Sequence, residues 1–258
     1  MVSLWWEVAG EGSAPPLVLI HGSMDRAAGL LRLSRRLDSD RPVVRYDRRG
    51  YGRSRSVGPP WTVAANIDDL EALLDERSRD PAVLFGHSFG GNVALGLADR
   101  RPDLVDAVIV YETPLSWIEW WPGDSAGGAA VANRDPGDGA EAFMRRLVGD
   151  AAWERLPQSK RQARRSEGAA LVGELADLRR EAPWRAERVR VPVLALYGET
   201  GRPHHRAAMD SLAKSLPDGR VQMVPDAGHA GPHTHADAVA AAVAGFITGR
   251  RSAPTPGD

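Results

Sequence analysis

The chain has 258 residues, and its 33 lysines and arginines nearly balance 34 aspartates and glutamates, for a formal net charge of −1. That balance offers no electrostatic reason to bind nucleic acid or an anionic membrane. A hydrophobic share of 43% with 26% charged residues is typical of a globular protein and excludes disorder over most of the chain, while the absence of cysteine excludes disulfides, thiolate metal sites and cysteine nucleophiles.

No apolar run approaches the roughly 20 residues that a membrane helix needs. Residues 1–10 also lack the basic and apolar regions of a secretory signal. We therefore expect a cytoplasmic protein whose partner is a small-molecule substrate, with no nucleic acid and no membrane involved. The sequence leaves the oligomeric state open.

Short apolar runs alternate with helical patterns along most of the chain, which predicts a parallel sheet covered by helices on both faces. The predicted strands are residues 4–8, 17–20, 43–46, 82–85, 105–111, 193–197 and 221–224. The predicted helices of this alternating part are residues 62–77, 91–100, 206–216 and 237–248.

One long stretch, residues 115–185, has no good strand pattern. A glycine-rich segment at 123–139 is followed there by helical patterns at 140–148 and 160–180. We predict a helical lid at 115–185, inserted into a core formed by residues 1–114 and 186–249. Residues 250–258, rich in proline, glycine and charge, are predicted to be a flexible tail.

The segment Gly86-His87-Ser88-Phe89-Gly90 follows one predicted strand and opens a predicted helix. In a G-x-S-x-G turn, the glycines allow a bend sharp enough to present the serine hydroxyl at the edge of the sheet. The helix N-terminus beneath it favours developing negative charge. The context predicts Ser88 as a nucleophile, and the alternative is a glycine-rich turn that merely contains a serine.

Four segments in this order resemble the α/β-hydrolase superfamily over essentially the whole chain: residues 19–22, residues 46–54, the turn at Ser88, and Ala227-Gly228-His229. The resemblance implies an α/β-hydrolase fold, with a mostly parallel sheet of about seven or eight strands and helices on both faces. It places the lid after the strand that ends near Tyr111.

The same resemblance implies roles for individual residues. His229, in the loop before the final helix, matches the family's general base, and its imidazole can reach over the sheet edge to Ser88. The oxyanion hole is expected from the backbone N–H groups of Phe89 and Ser23, with Met24 as the runner-up to Ser23.

The remaining histidines show no sequence motif that indicates a further chemical role. His233 and His235 follow the expected base, but their spacing lacks a carboxylate motif such as H-E-x-x-H. We therefore predict no metal and no cofactor. His87 is expected to pack beside the nucleophile, at the substrate pocket, rather than to act as the base.

The acid that should orient His229 departs from the family pattern. Most relatives carry an aspartate where this chain has Gly201, in the segment 198–201. Glu112, at the end of the predicted strand 105–111, is the preferred candidate, because haloalkane dehalogenases carry their acid at that place. Glu199 is the alternative, and a triad without a working acid is the third possibility. Dehalogenation itself is not expected, since it needs an aspartate nucleophile where this chain has Ser88.

Tryptophans cluster where the lid begins, and Trp117 is predicted at the substrate pocket together with Met24 and His87; packing of the lid against the sheet is the alternative for the tryptophans. Residues 141–165 hold seven basic and three acidic residues, which favours a solvated helix face over an anion site. We predict a serine hydrolase of a small carboxylic ester, thioester or lactone. The alternatives are a carbon–carbon bond hydrolase and a non-catalytic binding protein of the same fold.

Overall fold

The apolar runs of the sequence form a central sheet in a computed structural model that describes residues 4–77 and 80–251. The strands are β1 (Trp6–Ala9), β2 (Leu17–Ile20), β3 (Val43–Tyr46), β4 (Ala82–His87), β5 (Val105–Tyr111), β6 (Val193–Gly198) and β7 (Gly219–Val224). They are ordered β1-β3-β2-β4-β5-β6-β7, and within the described residues β1 alone pairs antiparallel to its neighbour. The prediction of a mostly parallel sheet of about seven strands is confirmed.

Helices cover both faces of this sheet. In the described residues they are α1 (Leu31–Ser34), α2 (Val63–Arg77), α3 (Phe89–Arg100), α4 (Ala126–Val131), α5 (Pro136–Val148), α6 (Asp150–Glu154), α7 (Gln158–Ser166), α8 (Gly168–Asp177), α9 (Pro203–Ser215), α10 (Gly231–Thr234) and α11 (Ala236–Arg251). Short 3₁₀ turns lie at Ala27–Leu30, Gly52–Ser54, Pro102–Leu104 and Ala186–Arg188. None of the helices in 4–77 and 80–251 is both long and apolar enough to cross a membrane.

Side chains of one strand point alternately into two apolar layers, one on each face of the sheet. On β4, Ala82 and Leu84 join the layer beneath α2 and α3, whereas Val83 and Phe85 join the layer beneath α1 and α11. Because both layers are closed to water, every residue of β4 is buried. This explains why the strands read as continuous apolar runs rather than alternating ones.

Two predicted boundaries differ from the structure. The helix predicted at 160–180 is two helices, since the chain leaves α7 at Glu167, whose buried carboxylate accepts hydrogen bonds from Arg26 at 2.6 Å and from the backbone of Gly52 at 3.1 Å. The predicted tail starts at residue 250, whereas α11 continues to Arg251 and Arg250 pairs with Asp106 of β5 at 3.0 Å. Residues 252–258 lie outside the described residues.

The helical insertion, residues 115–185, contains α4 to α8 and is joined to the sheet edge by a buried ion pair. Arg48 Nη1 lies 2.7 Å from Glu174 Oε2 on α8, and both side chains are almost completely buried. Tyr51 also donates to Glu174 Oε1 at 2.7 Å. These contacts fix α8 over the loops that follow β2 and β3.

Candidate active site

Ser88 occupies a strained turn between β4 and α3. Its backbone has φ 52° and ψ −124°, a conformation that non-glycine residues rarely adopt. A Cβ atom on Gly86 would overlap the backbone of Gly91, and one on Gly90 would overlap the carbonyl oxygen of Ile20. The two glycines of the motif are therefore required by close backbone packing, and the turn is held by a 2.8 Å hydrogen bond from the Ser88 amide to the Tyr111 carbonyl.

Glu112 and His229 form a hydrogen-bonded pair across the sheet edge. His229 Nδ1 donates to Glu112 Oε2 at 2.7 Å, and Glu112 Oε1 accepts from the Gly198 amide at 2.9 Å. Glu112 follows β5 directly, is fully buried, and has a left-handed φ of 46° that turns its side chain out of the strand direction. Because Nδ1 carries the proton given to Glu112, Nε2 of His229 is free to act as a base.

The other acid considered from the sequence lies elsewhere. Glu199 is exposed, and its Oε2 accepts a hydrogen bond from the backbone amide of Asp226 at 3.0 Å. Its carboxylate caps a surface turn rather than the imidazole of His229. Of the two candidates, the structure brings Glu112 to His229.

Gly201, where the resemblance implied an aspartate, lies directly against Glu112. A Cβ atom on Gly201 would overlap Glu112 Oε1. The carboxylate of Glu112 thus fills the space that a side chain at 201 would need. A side chain at 201 and the observed position of the Glu112 carboxylate therefore exclude each other.

The charge of this pair is set by its surroundings. Burial opposes ionisation of Glu112, but contacts with His205 and His229 outweigh it and hold the pKa of the carboxyl well below its usual range. His205 Nδ1 lies 2.7 Å from Glu112 Oε2 without hydrogen-bond alignment, and its ring stacks on that of His229 at 4.6 Å. Burial lowers the pKa of His205, so it is a neutral neighbour at pH 7.

The expected oxyanion donors lie on two converging segments. Phe89 is the first residue of α3, so its N–H has no acceptor within the helix. The loop carrying Ser23 passes close to the nucleophile, since a Cβ built on Gly22 would lie 3.0 Å from Ser88 Cβ. The hydroxyl of Ser23 is turned away to donate to Glu174 Oε1 at 2.5 Å.

Arg48 ties these two segments together. Its guanidinium lies over the Phe89 ring at 4.6 Å, and its Nε donates to the His21 carbonyl at 2.9 Å. From the sequence, Asp47 and Arg48 are expected to form a surface ion pair or turn, with a part in catalysis as the alternative. Both are instead buried: Asp47 accepts backbone hydrogen bonds from Ala27 and Arg53, and Arg48 pairs with Glu174.

Ser88, His229, Ser23 and Phe89 all line one cavity of about 330 Å³. The helical insertion supplies apolar walls from Trp121, Phe143, Leu147 and Leu175. Ser88 Oγ makes no hydrogen bond to any residue that the structure describes. The hydrogen bond between a nucleophile and its base often forms fully only in the substrate complex. The lack of a hydrogen bond to Ser88 Oγ among the described residues is therefore compatible with a triad.

Three residues predicted at the substrate pocket lie outside the described cavity wall. Trp117 packs edge-on against Trp184 at 5.6 Å within the insertion, and Trp184 in turn donates to Asn92 on α3 at 3.0 Å. Trp121 lines the cavity instead. Met24 is 3% exposed and His87 is 5% exposed. His87 does pack beside the nucleophile, where its Nε2 donates to the His229 carbonyl at 2.9 Å.

Among the residues that the structure describes, two groups of side chains have donor types and spacing that could hold a metal ion. One is Glu112 with His205 and His229, which is the acid–base pair itself. The other is Asp25 with His87 and His233, in which one donor atom from each lies within 4.8 Å of the others. In this second group His233 Nε2 lies 3.3 Å from Asp25 Oδ2, and His233 Nδ1 donates to the Gly29 carbonyl at 2.9 Å.

Sequence reasoning missed His205, Glu174 and Arg179 as parts of the site. Glu174 carries the one usable signal, because it is a single charge in the otherwise apolar run of residues 168–176. A charge in such a run is expected to be buried with a partner. Nothing in the local sequence identifies Arg48 as that partner, because it lies 126 positions away.

Comparison with known proteins places these features in a family. Residues 17–242 match the model of the alpha/beta hydrolase family. The chain is 28% identical to a 2-(acetamidomethylene)succinate hydrolase of Mesorhizobium japonicum over 86% of its own length and 84% of the relative. It is 38% identical to lipase LipV of Mycobacterium tuberculosis, but that match covers only 55% of this chain and 52% of the lipase.

Solved structures agree over nearly the full length. An enol-lactonase from Burkholderia xenovorans LB400 superposes with a TM-score of 0.73 at 26% identity, covering 95% of this chain and 96% of the lactonase. An esterase from Thermogutta terrifontis superposes with a TM-score of 0.75 at 23% identity, covering 95% and 93%. The second likeness concerns the fold alone.

Proposed function

The chain belongs to the α/β-hydrolase family and is a hydrolase, and we propose that it cleaves a small carboxylic ester, thioester or lactone through an acyl-enzyme formed on Ser88. The single observation that carries this proposal is the 2.7 Å hydrogen bond between Glu112 and His229, in a cavity that Ser88 also lines. A buried carboxylate that orients an imidazole beside a strained serine is the arrangement required for nucleophilic catalysis.

In the first half-reaction, Ser88 Oγ attacks the acyl carbon as His229 Nε2 takes its proton. The carboxylate of Glu112 stabilises the imidazolium that forms, without accepting the proton itself. The N–H groups of Phe89 and Ser23 stabilise the negative charge on the former carbonyl oxygen. The imidazolium then protonates the leaving alcohol or thiol, or the ring oxygen of a lactone, and the acyl-enzyme remains.

In the second half-reaction, His229 Nε2 takes a proton from water, and the resulting hydroxide equivalent attacks the acyl carbon. Collapse of the tetrahedral intermediate returns the proton to Ser88 Oγ and releases the acid. His205 is held neutral against the His229 ring, so it adds no second positive charge when the imidazolium forms. Its role in this proposal is to limit the movement of His229.

Named relatives support an acyl substrate. Among them are a pimeloyl-[acyl-carrier protein] methyl ester esterase of Cronobacter sakazakii and the lipase and enol-lactonase described above. All of these names denote a hydrolase of an ester or lactone bond. The cavity of about 330 Å³ fits a small acyl group together with its leaving group.

A fluorophosphonate probe that modifies activated serines tests the proposal directly. Purified chain should be labelled with one probe per molecule, and Ser88→Ala should not be labelled. Ser166→Ala, which removes an exposed serine on α7, should be labelled like the parent chain. Folded protein without labelling would overturn the proposal and favour a binding protein, and labelling without turnover of any ester, thioester or lactone would point to another bond, such as carbon–carbon.

A further inference from the structure

One arginine of the cavity wall is unlike every comparable arginine in the described residues. Twelve arginines there are buried or partly buried, and eleven of them have a carboxylate oxygen within 4 Å. The exception is Arg179, which follows α8 and lines the cavity that contains Ser88. Removing a guanidinium from water without an anionic partner is costly, so this exception calls for a reason.

The contacts of Arg179 leave much of its hydrogen-bonding capacity unused. Nη1 donates to the Leu175 carbonyl at 3.1 Å, and Nη2 donates to Ser125 Oγ at 3.2 Å. Both acceptors are neutral. A guanidinium has five N–H groups in a planar fork, and the remaining ones are available to a ligand. The two neutral contacts fix the orientation of the fork without compensating its charge.

The rest of the cavity wall is also cationic. Arg146 and Arg202 line it, are exposed, and have no carboxylate within 4 Å among the residues that the structure describes. Asp124, also exposed, is the one aspartate of the described lining. Since three arginines face one aspartate, the field in the cavity favours an anion.

Three partly buried arginines of the insertion that do not line the cavity differ from Arg179, because each has a carboxylate partner. Arg145, Arg161 and Arg165 each lie within 3 Å of a carboxylate oxygen of the insertion itself, from Glu141, Glu154 or Asp138. They form the solvated face that the sequence predicted. Among the buried or partly buried arginines of the insertion that the structure describes, the one without a carboxylate partner is Arg179, which reaches the cavity.

We propose that Arg179 binds a carboxylate of the substrate, so that the preferred substrate is an ester, thioester or lactone with a free carboxylate at the end remote from the scissile carbonyl. This inference rests on the proposed function. The guanidinium fork matches the two oxygens of one carboxylate, and such charge-assisted pairs are among the stronger polar contacts in proteins. Trp121, Phe143 and Leu175 line the same cavity and suit the carbon chain between the two ends.

Half-esters test the inference with matched compounds. Monomethyl esters of straight dicarboxylic acids with four to eight carbons are compared with the dimethyl esters of the same acids, which keep the chain and lose the charge. At the best chain length, the half-ester should have a kcat/KM roughly 10- to 100-fold higher, the range given by one hydrogen-bonded charge pair. Most of the difference should lie in KM, because the contact is present in both ground and transition states.

Arg179→Gln should bring the two kcat/KM values to within about threefold of each other, and Arg179→Lys should keep part of the preference. Arg180→Gln is the matched control. Arg180 is the next residue, its side chain is 79% exposed, and it lies outside the wall of the cavity. This control should leave the ratio unchanged. A parent chain without a preference for half-esters, or an Arg179→Gln variant that keeps the preference, overturns the inference.

Binding to the Ser88→Ala variant separates this inference from the proposed function. Calorimetry on that variant should show tighter binding of the half-ester than of the diester, and adding Arg179→Gln should remove the difference. If the parent chain hydrolyses no ester but Ser88→Ala retains this selective binding, the proposed function fails and the carboxylate site stands. If diesters are hydrolysed and the binding difference is absent, the carboxylate site fails alone.

Discussion

The sheet edge and the helical insertion contribute to the same cavity but are built in opposite ways. At the sheet edge, backbone geometry positions the chemistry: Ser88 and Glu112 have left-handed φ values, and backbone amides hold both residues. In the insertion, side-chain ion pairs such as Arg48–Glu174 determine the position of the helices. The comparison teaches that backbone geometry positions Ser88 and Glu112, whereas charge pairs position the insertion, in which the partly buried Arg179 has no carboxylate partner among the described residues.

The largest effect is expected at the nucleophile and the base. Ser88→Ala should reduce ester turnover by roughly 10⁵-fold or more, and His229→Ala should do comparable damage, since the two act as one unit. Circular dichroism and the unfolding midpoint should stay near those of the parent chain, because the hydroxyl contributes little packing. Retention of turnover by Ser88→Ala would place the chemistry elsewhere, and loss with His233→Ala but not His229→Ala would move the base to His233.

The next largest effect is expected at the acid. Glu112→Gln keeps the shape but removes the charge that stabilises the imidazolium, so kcat should fall by roughly 10³- to 10⁴-fold. Glu199→Gln is the matched control at an exposed carboxylate and should cost less than about tenfold. If Glu199→Gln lowered kcat more than Glu112→Gln does, the acid would be Glu199, in the loop after β6.

The close approach of Glu112 to Gly201 allows a test of whether an acid at position 201 can replace Glu112. Gly201→Asp in the parent chain should impair turnover, because the new Cβ overlaps Glu112 Oε1. The same substitution in a Glu112→Ala background has room for the new carboxylate and should recover part of the lost kcat. A double variant no more active than Glu112→Ala would show that the acid has only one usable place in this chain.

The buried pair of the insertion should affect stability more than chemistry. Glu174→Gln leaves the buried Arg48 charge without a partner, which should lower the free energy of unfolding by about 3–5 kcal/mol. The decrease is measured by urea denaturation, with the exposed Glu181→Gln as control. Because Glu174 also accepts from Ser23, kcat should fall, but by far less than in Glu112→Gln. An unchanged unfolding free energy would mean that the insertion is held mainly by apolar packing.

A further loss of stability is expected in mild acid. Burial lowers the pKa values of His21, His87 and His205 in the folded chain, whereas they titrate near 6.5 when unfolded. The unfolded chain therefore binds more protons below about pH 7, and the free energy of unfolding should decrease as the pH falls from 7 to 5. Glu112 adds to the loss only below about pH 4.5, where the unfolded carboxyl protonates while the folded one stays ionised. Stability that increases between pH 7 and 5 would contradict this assignment.

Much of the fold was predictable because each signal is local. Continuous apolar runs mark strands buried on both faces, and the strand–turn–helix context of Ser88 requires glycines at 86 and 90 whatever the rest of the chain does. Glu112 could be ranked above Glu199 because the resemblance to haloalkane dehalogenases implies an acid at the end of the strand beside the nucleophile strand. These features depend on neighbours in sequence or on the order of strands.

The sequence by itself determined the strands of the core and their mostly parallel packing, the sharp turn at Ser88, and a short choice of acids for His229. Only the tertiary structure decided that Glu112 fills the space above Gly201, that Glu174 pairs with Arg48, and that Arg179 reaches the cavity without a carboxylate. The physical reason is how far apart in the sequence the interacting residues lie. Backbone conformation and apolar periodicity are properties of adjacent residues, whereas the charge balance of a buried side chain depends on residues more than a hundred positions away.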